Sequence, residues 1–358
     1  MSIPLSSIAA VIILATPATA LVPTYTAQFL GSANHIDAMN ESGHVVGWVT
    51  AGATRGFVAG PGLPWQLLPL PAGMNSSAAN DINDAGVIVG AVGPSSSPEY
   101  YLGGRAASWT PDGVGGYTVA LLGQLPGHVS GLATAINNAG DIVGFSSNGT
   151  FRYPVLFGPG GPTDLSASGL FDPSDVNDER VVVDHSFTAR KLDLDTMIVE
   201  DLGVPSGSYR STRAEAISDA GVVVGAAVLT TGTNCDHQAA RHDASGWEIL
   251  SGCGQYNSAY DVNVVGDVIM QLNVAVWVDL AGFGAYRVED LIAPGTGHWY
   301  VVNAFGNALN DARQLAVQAH NPTTGQSGAV LLTPEQETAV GEMERLTGGQ
   351  RLAAQPSP

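Results

Sequence analysis

Lysine is almost missing from this sequence. Lys191 is the only one, and basic side chains total 13 against 32 acidic ones, a formal net charge of -19. A chain so poor in positive charge cannot neutralise a phosphate backbone or an anionic membrane, which argues against nucleic acid and lipid surfaces as partners. Charged residues of both signs make up 13% of the 358 residues, about half the share usual in globular chains. Past the first residues no apolar run approaches the roughly 18 needed to span a bilayer, so no membrane span is expected. Cysteine is confined to Cys235 and Cys253, with no Cys-x-x-Cys pair to suggest a metal cage or a redox centre. A turn at Asp243-Ala244-Ser245-Gly246 would set the two at the open end of one hairpin, where an oxidising compartment favours a disulfide. Two free thiols are the alternative.

Catalytic signatures are lacking too. There is no Gly-x-Ser-x-Gly elbow, no His-Glu-x-x-His zinc helix, no phosphate-binding Gly loop and no Asp-x-Asp-x-Asp-Gly calcium loop. His237 and His242 lie an odd number of residues apart, which on a strand puts them on opposite faces and argues against a shared metal.

What the chain has in quantity is glycine, 45 residues of it, and a repeat. The stretch from Ala133 to Gly144 reads Ala-Thr-Ala-Ile-Asn-Asn-Ala-Gly-Asp-Ile-Val-Gly, and its core recurs around Asn40, Asn83, Asn177, Ser218, Asn263 and Asn310. Successive copies are 43, 54, 40, 41, 45 and 47 residues apart, close to the roughly 40–45 residues of a four-stranded propeller blade. Each copy reads as a hairpin. Asn opens a tight turn, and Gly at its fourth position takes a positive φ that re-aligns the strands. Arg180 and Arg313 replace that Gly and Ser218 replaces the Asn, so those three turns are expected to be looser.

Two further strand signals follow each hairpin. The third strands are expected at 56–59, 106–109, 153–157, 186–189, 238–241, 275–278 and 328–332, the fourth at 65–68, 117–122, 162–165, 197–202, 247–250 and 287–291. The seventh unit lacks a fourth strand, and Thr24 to Gly31, ahead of the first hairpin, supplies one. Pairing the two ends closes the ring and removes exposed sheet edges. The sequence thus predicts an all-β fold, a seven-bladed β-propeller of four-stranded blades over residues 21–333. The long gap between the second and third units holds an insertion, Gly93 to Gly104.

Met1 to Ala20 resembles a secretory signal, with an apolar core from Ile8 to Ala15 and a small-x-small end at Ala18-Thr19-Ala20, although no Lys or Arg precedes it. A buried N-terminal strand or helix is the alternative. Thr333-Pro334-Glu335 has the cap, proline and early acids of a helix start, so residues 334–358 are expected to form a short helix to about Leu346 and a flexible tail.

The repeat unit, Ala-x-x-Ile-Asn-x-x-Gly-x-Val-Val-Gly followed by an apolar-aromatic strand such as Ala106-Ala107-Ser108-Trp109, resembles the HAF-type extracellular repeat of bacterial secreted proteins. The resemblance runs from Thr24 to Thr333. It implies an exported, propeller-like protein without an assigned activity, and it carries over no catalytic residues. No membrane-anchored sorting segment follows the repeats, so release from the cell is expected over retention in the envelope.

With the first strand of each unit innermost, the Asn turns share one face and the long, varied loops share the other, where binding usually resides. Those loops carry Tyr100, Tyr101, His128, His237, His298, Trp299 and Tyr300. Aromatics beside His and carboxylates suit stacking on a sugar ring with polar groups to orient its hydroxyls. The competing reading is that Trp299 and Tyr300 fill gaps between blades. Three residues before each turn Asn stand Asp37, Asn80, Thr134, Ser174, Glu215, Tyr260 and Asn307, all polar and placed to ring a central channel. There Asp37 and Glu215 could hold a cation or act as an acid–base pair. A water-filled structural channel is the alternative, and no other cofactor or metal is implied.

The functional expectation is a secreted, monomeric, non-catalytic binding or scaffold module whose partner is an extracellular glycan or protein. The alternatives are a propeller enzyme, a glycoside hydrolase or lyase acting on polysaccharide, and a purely structural envelope protein.

Overall fold

A computed structural model describes residues 22–97, 104–230, 236–304 and 306–335. Among the described residues twenty-eight strands form seven four-stranded antiparallel sheets arranged as a ring of blades. The inner strands are Ser76–Ile82, Ser130–Ile136, Pro173–Val176, Tyr209–Ile217 and Ser258–Val262 in blades 2 to 6, with His35–Met39 in blade 1 and Tyr300–Asn303 in blade 7. In blades 1 to 6 each following strand lies beside its predecessor, outward in sequence order.

Blade 7 is closed as the sequence predicts. Strand Tyr25–Gly31 lies against Ser327–Pro334, with Tyr25 opposite Pro334 and Thr26 opposite Thr333. Tyr25 also ties back to the loop after blade 6, its carbonyl accepting the N–H of Ala293 at 2.8 Å.

The apolar clusters lie between blades rather than within one. Val46 and Val58 of blade 1 pack with Ile88 and Trp109 of blade 2, and Val143 of blade 3 packs with Val182 and Leu192 of blade 4. A blade is therefore covered on both faces, which is why second strands read as nearly unbroken apolar runs; Ile88–Gly93 is buried at every position.

The Gly that ends the Val-Val-Gly motif has a steric cause. A methyl on Gly47, Gly90, Gly144 or Gly225 would lie 2.0–2.2 Å from the carbonyl oxygen of His35, Ala78, Leu132 or Arg213 on the inner strand. That close approach sits at a β-bulge, whose extra residue is Asp37, Asn80, Thr134 or Glu215.

Three expectations are corrected. The third strand of blade 4 is Arg190–Asp193, not 186–189, where Ser186 bonds back to Asp184 and Phe187 stands exposed in a loop. The outer strand of blade 6 is Gly284–Arg287, and the residues expected there, Val288–Leu291, form a 3-10 turn. The two Arg turns are not looser either: Arg180 and Arg313 donate their N–H to Asn177 and Asn310, both at 3.0 Å, as in the other copies, while the Ser218 turn keeps the bond from Gly221 at 2.9 Å but leaves its hydroxyl unpaired. Arg180 and Arg313 adopt φ of 61° and 62°, and their side chains are used as clamps. Arg313 holds Asp267, whose side chain is fully buried, at 2.7 Å, and Arg180 holds Asp141 at 2.6 Å and Asp195 at 2.9 Å.

At the far end the last strand runs through Pro334, one residue into the expected helix. The rest of that helix, the signal segment up to Leu21, Tyr100, Tyr101 and Cys235 lie outside the described residues. The expected Cys235–Cys253 pairing falls with them.

Candidate functional site

The Asn turns join the blades. Each turn Asn accepts, on Oδ1, the N–H of the residue four positions on, as at Val87, Asp141 and Val181. Its Nδ2 donates to the backbone carbonyl of the equivalent residue in the next blade: Asn40 to Asn83, Asn83 to Asn137, Asn137 to Asn177, Asn177 to Ser218, Asn263 to Asn310 and Asn310 to Asn40, at 2.9–3.4 Å. The next residue repeats the device. The N–H groups of Glu41, Asp84, Asn138 and Asp178 donate to the side chains of Asp84, Asn138, Asp178 and Asp219, and Asp311 donates to Glu41. Both rings of bonds break between blades 5 and 6, where Ser218 is too short to reach and Val264 has no acceptor to offer. The Ser218 hydroxyl is buried without a partner.

Inside this rim is the channel mouth, a cavity of about 310 Å³. Its inner wall carries Asp81, Asp175 and Asp261, two residues before the turn in blades 2, 4 and 6, all buried. Each accepts the N–H of its own successor on Oδ1 and, on Oδ2, that of Ile136, Ile217 or Leu309 in the following blade. Burial pushes the Asp81 carboxyl up to about 7, with repulsion from Asp175 adding to it. Burial likewise raises Asp175 and, further, Asp261, which also feels Asp175 and Asp81. Asn307 reaches from blade 7 to donate to Asp175 Oδ1 at 3.4 Å. Among the described residues no three His, Cys, Asp or Glu groups are arranged to hold a metal ion.

The seven residues expected to ring the channel are all half-buried, and Asn307 is the one that lines this cavity. Asn80, Thr134 and Ser174 turn sideways and donate to the carbonyls of Ala133, Pro173 and Ala214 in the next blade at 2.7–2.9 Å. Asp37 pairs with His35 at 3.2 Å and Glu215 with His185 at 2.8 Å, so each acid has its own histidine. Burial works against the charge on His185, but the hydrogen bond and charge of Glu215 win and raise its pKa. Tyr260 is pushed up to about 12, by burial first and by the charge of Glu215 second.

The opposite face is built differently. His298, Trp299 and Tyr300 come together in a cavity of about 570 Å³ that Glu289 and Asp290 also line. The His298 and Tyr300 rings meet edge to face at 4.7 Å, and Tyr300 is half exposed. Trp299 is only 5% exposed; its ring stacks at 5.9 Å on Phe29 of the closing strand, and its Nε1 donates to the Thr296 carbonyl. Most of that ring is spent on packing. His128 and His237 sit on blades 3 and 5, away from this group: His128 bonds Ser146 and lies 4.8 Å from the Tyr153 ring, and His237 bonds Asp236.

A neighbouring cavity of about 630 Å³ includes Tyr256, Tyr260, Gln271, Val274, Val302 and Asn303 in its lining. The two cavities meet at strand Tyr300–Asn303, whose first residue lines one while Val302 and Asn303 line the other. Of this second group the sequence reading singled out Tyr260 alone. The rest come from three separate segments, and only an exposed aromatic in a Gly-rich loop, Tyr256, offered a signal.

No family model and no curated protein matches the chain. Solved structures similar to it include one described as YCF48 bound to D1 peptide, at 15% identity and a TM-score of 0.46, covering 90% of this chain and 100% of that one. Another is the extracellular domain of a putative hybrid two-component system from B. thetaiotaomicron, at 10% identity and 0.43, covering 86% and 42%. A third is a protein of unknown function from Bacteroides thetaiotaomicron VPI-5482, at 10% identity and 0.39, covering 81% and 84%. At these scores the likenesses carry no functional argument.

Proposed function

We propose that this chain is an exported, non-catalytic binding propeller that presents its long-loop face, at blades 6 and 7, to an extracellular carbohydrate. The observation that carries the reading is the contrast between the faces. On the turn face the polar side chains around the channel are engaged in hydrogen bonds between blades, which is work done for the ring itself. On the long-loop face two cavities adjoin, and Tyr256 and Tyr300 stand 67% and 50% exposed beside them. Exposed tyrosines beside polar groups suit a sugar ring, which has an apolar face and a polar edge. The signal-like first segment and the likeness of the repeats to HAF-type extracellular repeats support export.

A polysaccharide-cleaving enzyme is the second reading, and the Glu215–His185 pair beside the channel is what favours it. Against it, Tyr260 stays protonated at neutral pH and makes a poor base, and Asp37 stands on blade 1, paired with its own histidine. The test is a panel of extracellular polysaccharides incubated with the chain, with bound polymer and released reducing ends measured together. Binding without new reducing ends is the expected result. Release of reducing ends or of unsaturated sugars would establish the enzyme instead, and the absence of both would leave a scaffold with a protein partner.

A further inference from the structure

The cavity shared by blades 6 and 7 has a clear origin. The hairpin joining the second and third strands of blade 6 turns on Asn273 and Val274 alone, since Leu272 already pairs with Ala275 and Asn273 takes a φ of 55°. The corresponding connection of blade 7 occupies residues 321–326. A short hairpin beside a longer loop leaves a notch, and the inner strands of blades 6 and 7 form its floor.

Three features of the notch select a ligand. Among the described residues its lining holds no Asp, Glu, Lys, Arg or His, although the chain as a whole carries a net charge of -19. An uncharged wall has nothing to attract an ion and would leave a buried one uncompensated. Its rim is apolar and open to solvent, with Val274 87% and Tyr256 67% exposed. Finally, its wall contains two buried amide oxygens without hydrogen-bond partners, Gln271 Oε1 and Asn303 Oδ1, and Gln271 itself is only 7% exposed. Each unpaired buried acceptor costs on the order of 1–3 kcal/mol, which a donor brought by a ligand would recover. Both residues line the cavity, and the last side-chain torsion of an amide is broad.

From these features we infer that the notch is a subsite for one residue of a neutral glycan. The inference rests on the carbohydrate reading above and narrows it. A pyranose ring lies against Tyr256 while two of its hydroxyls donate to the amide oxygens of Gln271 and Asn303. An apolar peptide side chain would match the rim and leave both oxygens unpaired. A charged sugar, such as a uronate, would find no counter-charge among the described residues of the lining.

The test is titration calorimetry of the full chain with cellohexaose, xylohexaose, mannohexaose and laminarihexaose, and with oligogalacturonate as the charged comparator. At least one neutral hexasaccharide is expected to bind. Tyr256→Ala and Gln271→Met are each expected to weaken that binding at least tenfold, and Tyr300→Ala, in the adjoining cavity, less than threefold. Tyr256 is exposed enough that its variant keeps the fold even if Gln271→Met does not, and a thermal melt checks both. Binding that survives Tyr256→Ala and fails in Tyr300→Ala would overturn the subsite and keep the long-loop reading. Preference for oligogalacturonate would overturn the neutral ligand, and no binding of any sugar by the wild-type chain would overturn both inferences.

Discussion

Arg180 and Arg313 occupy the turn position where the other copies have Gly, and both hold the left-handed backbone that disfavours a side chain. They are retained in that conformation by what their guanidinium groups reach. Asp267 is fully buried and Arg313 is its cationic partner, with Asn263 Nδ2 and the Ala281 N–H as further donors. Arg180 is more exposed and divides itself between Asp141 and Asp195, the latter largely in solvent. Removing the partner of a buried charge costs far more than removing an exposed one. Arg313→Ala is therefore expected to lose on the order of 2–4 kcal/mol, and Arg180→Ala about 1 kcal/mol or less. Urea denaturation followed by tryptophan fluorescence measures both. Equal losses would show that the two ion pairs contribute alike in spite of their different burial.

The element that distinguishes this ring is the seam between consecutive blades. Six seams have the Asn link at the turn, and the seam from blade 5 to blade 6 does not, because Ser218 leaves its hydroxyl unpaired and Val264 accepts nothing. Apolar packing still joins those blades through Ala216, Val224, Ala259 and Met270. Ser218→Asn is expected to restore the missing link and raise stability by about 0.5–1.5 kcal/mol. Val264→Asp restores the second link but adds a carboxylate near Asp219 and Asp311, so its gain should be smaller and should grow with salt as repulsion is screened. Denaturation midpoints at low and high ionic strength separate the two effects. Hydrogen exchange should slow at this seam in Ser218→Asn; unchanged exchange there would mean that the apolar contacts alone set its opening.

At the scale of the whole molecule the channel makes stability depend on pH. Asp81, Asp175 and Asp261 are raised by burial first, Asp81 to about 7 against 3.8 for the free group. The folded chain therefore binds protons that the unfolded chain has already released, and stability must fall as pH rises from about 4 towards about 7. His35 and His185 are raised by Asp37 and Glu215 in spite of burial, so their contribution is also lost as pH climbs through their folded values. The lowered acids Asp112, Asp193, Asp236 and Asp243 work in the opposite sense, but they lie on the surface and finish titrating below this window. Thermal midpoints are expected to be higher at pH 5 than at pH 8, with a flatter slope in Asp81→Asn. A flat wild-type profile would mean that the N–H donors around each carboxylate offset its burial.

The fold was legible because a propeller is a local rule repeated. Turn spacing, strand alternation and the orphan strand at Thr24–Gly31 are properties of neighbouring residues, and they sufficed to predict seven blades and how the ring closes. Legibility failed at 186–189 and 287–291, where β-like runs lie beside the actual strands, Arg190–Asp193 and Gly284–Arg287, and composition alone does not tell which run pairs. The Asn at each turn was read as a turn former, and its second role as the bond to the next blade needs a neighbour some 40–54 residues away. The same holds for the notch at Tyr256, Gln271, Val274 and Asn303: its shape depends on one hairpin being shorter than the corresponding loop of blade 7, and its unpaired oxygens on what packs around them. Sequence by itself determined the repeat and the ring, because hairpins follow from residues close along the chain. Only the tertiary structure decided which polar groups are consumed between blades and which remain for a ligand, because that depends on contacts between residues far apart in the chain.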